Sequence, residues 1–423
     1  MELGKTCRAL GSFIFILLVS IGSSSLAEES QNNRADGGVA RQSAGEYPVS
    51  TRTKDNSIFF EAGDASKKAN ASYPEWFRGA GKNGLADEHA LYWSNSLITP
   101  KQNAAENPEA ENLYFGLLEL KPGVTYPAHN HPANELYFVL NGEADWYVND
   151  EKQHVTAGSV IRHRSFDAHG WVNTNTEDSL QLVWLWWLEG EDTLEMFEHG
   201  ARFTNPELTE NINTIKPYAV PLPRPCPRDQ KCLQNYPGPY PIYGRTEKTT
   251  AFFNERDARK QSDEHYPEWY RGKAKNNLAD EASMYWYREL VTPKRYAVGN
   301  LEAESLYFGT LDLLPGATYP AQHHPSNEFY FVVEGEADWY VNDRSRKVKR
   351  GSLIRHQPYD VHGFVNTHQT QSLKVVWARW LEGNDTQEVF GKGATLINPD
   401  LVKAVEDIKP FAVLPPKSSE EPD

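Results

Sequence analysis

The chain is short of basic charge, of long apolar runs and of cysteine, and each shortage excludes something. Lys and Arg number 43 against 58 Asp and Glu, so 423 residues carry a formal net charge of -15. A phosphate-binding surface needs clustered cations, so a nucleic-acid partner is not expected. One stretch alone is apolar at length: Leu10 to Ile21, behind Lys5 and Arg8 and ahead of Ser25 and Ala27. It is too short to span a bilayer comfortably, and its flanks fit an export signal cut after Ala27. A secreted or periplasmic protein is therefore expected, with no further segment suited to a membrane. Of the three cysteines, Cys7 would leave with the signal. Cys226 and Cys232 remain in a Pro-rich stretch with no third metal ligand nearby, and an exported chain would permit a bond between them. Helical periodicity is also scarce, confined to Leu194–Phe197 and Leu208–Ile215.

Apolar residues, at 39%, and aromatics, at 12%, are plentiful enough to build cores. They are arranged twice. Tyr73-Pro74-Glu75-Trp76 recurs 193 positions on as Tyr266-Pro267-Glu268-Trp269, and Leu188-Glu189-Gly190 recurs at the same shift as Leu381-Glu382-Gly383. Between Gly123–Asp150 and Gly316–Asp343, 21 of 28 positions are identical, which marks a duplicated domain. Within each copy the runs are short, aromatic and branched. Glu135–Leu140 and Ala144–Val148 flank Asn141-Gly142, a hairpin signal. Leu180–Leu188 is almost wholly apolar, as a strand buried on both faces would be. The expected order is a signal (1–27), a polar lead-in (28–57), a first domain (58–220), a Pro-rich linker (221–250), a second domain (251–415) and a tail (416–423).

Four residues of the first copy carry metal chemistry. Strand side chains alternate in direction, so His129 and His131 share a face, as do Glu135 and Tyr137. With His169 they offer three imidazoles and a carboxylate, a set suited to Zn, Fe, Mn, Ni or Co with positions left open. In the second copy His324, Glu328 and His362 recur, while Gln322 stands for His129 and could ligate weakly through its amide oxygen. His323 is extra, and its parity places it on the opposite face. One metal per copy is expected, bound more strongly in the first.

These spacings resemble the two cupin motifs. Gly123, His129, His131, Glu135 and Gly142 meet the first. Gly158, His169 and Asn173 meet the second, whose internal Pro-x-Gly is replaced by Arg164 and Phe166. The resemblance implies an all-β bicupin: two tandem double-stranded β-helix (jelly-roll) barrels with short flanking helices. The string from Tyr126 through His131 and Glu135 to Tyr137 further resembles the cupin-type dimethylsulfoniopropionate (DMSP) lyases. That likeness implies Tyr137 as catalytic base with Tyr126 beside it, and Tyr330 and Tyr319 in the same roles in the second copy. It also implies a small-molecule carboxylate substrate, DMSP, cleaved to dimethyl sulfide and acrylate. A metal would stabilise the charge developing beside the carboxylate. Trp184 and Trp377 are candidates to face the sulfonium. Two other readings stand beside this one: another metal-dependent cupin enzyme, such as a dioxygenase or isomerase, and a non-enzymatic binding or storage bicupin.

Overall fold

The structure, a computed structural model, describes residues 59–203 and 252–396 apart from positions 72, 101–106, 150, 191, 199, 265, 294–295, 298–299, 343 and 384. The export signal, the lead-in, the Cys226–Cys232 pair, the Leu208–Ile215 helix and the tail lie outside those residues.

Each barrel is a seven-stranded sheet, six strands from its own copy and one from the other, with a five-stranded one. In the first copy Leu180–Trp187 sits in the middle of the large sheet, between Asn134–Asn141 and Leu113–Leu120. His169–Asn173 sits in the middle of the small sheet, between Thr125–Asn130 and Glu143–Val148. The second copy repeats this order, with Leu373–Trp380 and His362–Asn366 in the corresponding places. Two tandem jelly-roll barrels result, with four-residue helices such as Glu75–Arg78 and Glu195–Glu198 outside them. The fold is all-β, as expected, and the helical signal near Leu194–Phe197 resolves into that second short helix.

The hairpin expected at Asn141-Gly142 does not form. Asn134–Asn141 pairs with Ser159–His163 and Leu180–Trp187 in the large sheet, whereas Glu143–Val148 pairs with Glu151–Thr156 and His169–Asn173 in the small one. Gly142, at φ +90°, is the corner where the chain changes sheets. A Cβ there would stand 3.2 Å from the Leu180 backbone, so glycine serves both the conformation and the close approach. The hairpin lies one strand later, where Asn149 takes φ +53°.

Strand alternation also explains how the barrels associate. Along Asn134–Asn141, Glu135 and Tyr137 point into the barrel while Leu136 and Phe138 point out, and every one of them is buried. The outward residues meet those of the other barrel in a shared core containing Phe115, Phe138, Phe308, Phe329 and Phe331. Phe115 lies 4.3 Å from Phe329, ring centre to ring centre. Truncating such a ring costs about 3–5 kcal/mol. The barrels also exchange edge strands: Phe59–Glu61 pairs with Ser352–His356 of the second sheet, and Phe252–Asn254 with Ser159–His163 of the first. A sheet edge that would stay open in each barrel is thereby closed by the other's leading segment.

Candidate metal centre

The site of the first barrel is assembled from two rows, one on each sheet. On the large sheet, Glu135 is in register with His163 on one side and with Trp186 on the other. On the small sheet, His129 is in register with His169. His131 follows at the end of its strand. His129, His131, Glu135 and His169 are all buried, and one potential ligand atom from each lies within 4.8 Å of the others. The second barrel brings together His324, Glu328 and His362 in the same way.

Hydrogen bonds set which nitrogen of each ring faces inward. A carbonyl oxygen can only accept, so Nδ1 of His129 donates to Pro127 (2.9 Å), that of His131 to Ala133 (3.0 Å) and that of His169 to Asp167 (2.8 Å). The Nε2 atoms are left to converge on the carboxylate. His131 Nε2 stands 2.8 Å and His169 Nε2 3.0 Å from Glu135 Oε2. The His169 nitrogen is close to that oxygen yet makes no well-directed hydrogen bond. Lone pairs from several rings aimed at one carboxylate oxygen require a shared positive charge. A divalent cation with nitrogen and oxygen ligands at about 2.0–2.2 Å fits that need. His324 and His362 donate in the same sense to Ser326 (3.1 Å) and Asp360 (2.9 Å), and His362 Nε2 is again buried without a hydrogen-bond partner. Each barrel therefore carries a divalent-metal site.

The protonation states agree with ligation. Burial holds His129 and His362 well below the usual histidine range, with neighbouring imidazoles adding to the effect. Burial opposes ionisation of Glu135, but the adjacent His131, with a hydrogen bond from His163, outweighs it and holds the carboxyl well below its ordinary value. Glu328 is held down in the same way, chiefly by His324.

Sequence reasoning missed three residues at the site. Trp146 Nε1 donates to His163 Nε2 (3.1 Å), so the His163 proton sits on Nδ1, 3.4 Å from Glu135 Oε2. Trp186 Nε1 donates to the other oxygen, Glu135 Oε1, at 2.5 Å. Burial pushes His163 down to about 3, so it stays neutral and acts as a donor. The relay recurs from Trp339 through His356 to Glu328. The recurrence of His163 as His356 was the available signal. Asn173, a motif residue, serves the fold by donating to the carbonyls of Leu120, Lys121 and Asp178.

Gln322 is engaged by two tyrosines: its Oε1 accepts from the Tyr266 hydroxyl (3.2 Å) and its Nε2 donates to that of Tyr319 (3.3 Å). His323 stays outside the cluster. Tyr137 lies inside the first barrel, its ring 6.4 Å from that of His169, and burial with the nearby Glu135 charge holds its hydroxyl well above the usual 10. Tyr330 is placed alike. Tyr126 is stacked on Trp171 at 4.2 Å and Tyr319 on Phe364 at 4.8 Å. Trp184 donates to the Leu117 carbonyl, and it is Trp186, two residues on, that meets the ligands.

The turn in which Arg164 and Phe166 replace Pro-x-Gly is held by its backbone. Phe166 and Tyr359 both adopt φ +66°, the conformation a glycine would take, at a cost of about 1–2 kcal/mol each. Their backbone N–H groups donate to the carbonyls of His131 and His324 at 2.7 Å, which ties each turn to a ligand.

Comparison with known proteins matches this arrangement. The family described as Cupin domain matches residues 116–186 and 309–379, stretches that contain both clusters. Gentisate 1,2-dioxygenase of Haloferax sp is 25% identical over 271 residues, 63% of this chain and 71% of that protein. The crystal structure of the Lactobacillus farciminis oxalate decarboxylase formate complex aligns with a TM-score of 0.51 at 14% identity, covering 85% of this chain and 94% of that one. Oxalate decarboxylase from Bacillus subtilis aligns at 0.47 and 14% identity, covering 82% and 80%.

Proposed function

The chain is a bicupin of the cupin superfamily, and from that premise we propose a metal-dependent enzyme acting on a small carboxylate, with oxygen-dependent chemistry as the first reading. One observation carries the metal dependence: imidazole nitrogens with outward-held protons converge on one buried carboxylate in each barrel. A bound first-row metal supplies Lewis acidity toward a substrate carboxylate and, where redox-active, a partner for oxygen. The chain's own residues do the rest. Backbone carbonyls fix the ring orientations, and the relay from Trp146 through His163 fixes Glu135. Burial of all four ligands excludes bulk water.

The Haloferax relative is named for a dioxygenase acting on gentisate, which supports the oxygen-dependent reading. Burial and the Glu135 charge push the Tyr137 hydroxyl up, and a divalent cation beside it would act in the opposite sense. A second reading, elimination from DMSP, is favoured by the paired tyrosines Tyr137 and Tyr126 on the inner wall. There the Tyr137 oxygen would take the proton beside the carboxylate as the C–S bond breaks, releasing dimethyl sulfide and acrylate. Protein loaded separately with Fe, Mn, Ni, Co or Zn is incubated with gentisate and with DMSP. Oxygen uptake with gentisate under Fe or Mn is the expected result. Headspace dimethyl sulfide without oxygen uptake would replace the first reading by the second, and neither signal with any metal would contradict both.

A further inference from the structure

The second barrel differs from the first at one wall of its centre. Arg379 occupies the place of Trp186 and is in register with Glu328, as Trp186 is with Glu135. Trp186 satisfies its carboxylate directly and lies 4.5 Å from the His131 ring, closing the first centre with an apolar wall. Arg379 does neither. Its Nε donates to Ser326 Oγ at 2.6 Å, and that oxygen stands 3.1 Å from His324 Nδ1. Ser326 is itself a change, since the first barrel has Ala133 there. The two substitutions act together, the serine holding the guanidinium beside the ligand histidine. Arg379 Nη2 is then buried with no hydrogen-bond partner among the described residues.

A buried guanidinium N–H left without an acceptor is costly, and such groups in folded proteins are normally satisfied. A guanidinium offers a rigid fork of donors that matches a carboxylate. The Arg379 Nε is held by Ser326 and the guanidinium charge also acts on the partly buried Glu289 carboxylate, while Nη2 stays without a hydrogen-bond acceptor among the described residues. We propose that the second barrel is an anion receptor in which Arg379, tethered by Ser326, takes the carboxylate of a small organic acid beside His324 and Glu328. The first barrel, walled by Trp186 in the same place, lacks that function. The inference deepens the reading of each barrel as a metal centre and rests on it only for the identity of the neighbouring ligands.

Full-length protein is titrated calorimetrically with malonate, once zinc-loaded and once metal-free, with zinc per chain measured on the same samples. The wild type should take up one malonate per chain through this site. Arg379→Gln should weaken binding about 10- to 100-fold, the range of a lost charge-assisted pair. The double variant Arg379→Trp with Ser326→Ala installs the pair that the first barrel already folds around, and should lose as much. The reverse pair, Trp186→Arg with Ala133→Ser, should create a second malonate site. Unchanged affinity in the Arg379→Trp, Ser326→Ala variant with zinc content intact would overturn the inference while leaving the metal reading in place. Arg379-dependent binding in zinc-loaded protein whose second barrel has taken up no zinc would strike the metal reading of that barrel and uphold the inference.

Discussion

The two barrels share a backbone, a ligand core and a relay, and differ where a substrate would meet them. His131, Glu135 and His169 recur as His324, Glu328 and His362, and Trp146 with His163 recurs as Trp339 with His356. What changes is the fourth ligand, His129 to Gln322, and one wall, Trp186 to Arg379 with Ala133 to Ser326. The unchanged residues keep their hydrogen bonds to backbone and to one another, and the changed ones exchange theirs for new partners. Gln322 instead bridges two tyrosines through its amide. The comparison teaches that the scaffold of the centre is separable from its ligand count and its charge. The first gathers four potential ligands beside Trp186, and the second three beside Arg379.

That asymmetry can be broken most completely at the carboxylates. Glu135→Ala should remove most of the bound metal and most of the turnover, and Glu328→Ala a minor share of both, read as metal per chain and initial rate. Equal losses would mean that the barrels are equivalent. Smaller effects are expected one step out from the ligands. His163→Ala and His356→Ala should each weaken metal binding at their own centre by about 10- to 100-fold, as loss of an outer partner does, measured by competition with a chelator. Unchanged affinity in both would show that the relay orients nothing.

Tyr137→Phe tests the wall that the barrels share. Metal content should stay unchanged, and turnover should fall by less than the roughly 10²–10⁴-fold that loss of a general base brings. A fall within that range would restore the elimination reading. The smallest effect concerns acid. Histidines held below their ordinary 6.5 bind no proton in the folded state while the unfolded chain does, so stability is full above about pH 6.5 and declines as pH falls toward the folded value. For His163 that window runs down to about 3. His129 behaves alike, burial being the main cause, and Gln322 removes this term from the second barrel. His129→Gln in chelator-treated protein should therefore flatten the decline between pH 6.5 and 5 by up to about 1.4 kcal/mol per pH unit, followed by urea denaturation. An unchanged slope would show that His129 does not contribute.

The repeat and the ligands were legible because both are periodic. A fixed shift of 193 positions exposes the duplication, and strand parity alone puts His129 with His131 and Glu135 with Tyr137. Pairing across strands was less accessible. Asn141-Gly142 carries a turn signal, but a local turn does not state which sheet the next strand will join, and here it joins the opposite one. His163 lies 28 positions from Glu135 and reaches it only through strand register. The partner of Gln322 was hidden for the same reason, since the tyrosine that holds its oxygen, Tyr266, sits 56 positions upstream. The exchange of edge strands had no local signature, since Phe59–Glu61 and Phe252–Asn254 read as ordinary leading segments.

The central claim is that both barrels are metal centres of one design and unequal strength, set by His129 against Gln322. Calorimetric titration of metal-free, full-length protein with Zn²⁺ tests it most directly, run beside Gln322→His and His129→Gln. Two zinc sites per chain are expected in the wild type, the tighter lost by Glu135→Ala and the weaker by Glu328→Ala. His129→Gln should bring the tighter site toward the weaker, and Gln322→His should raise the weaker toward the tighter. Two wild-type sites of equal affinity, or a single site that survives Glu135→Ala, would contradict it.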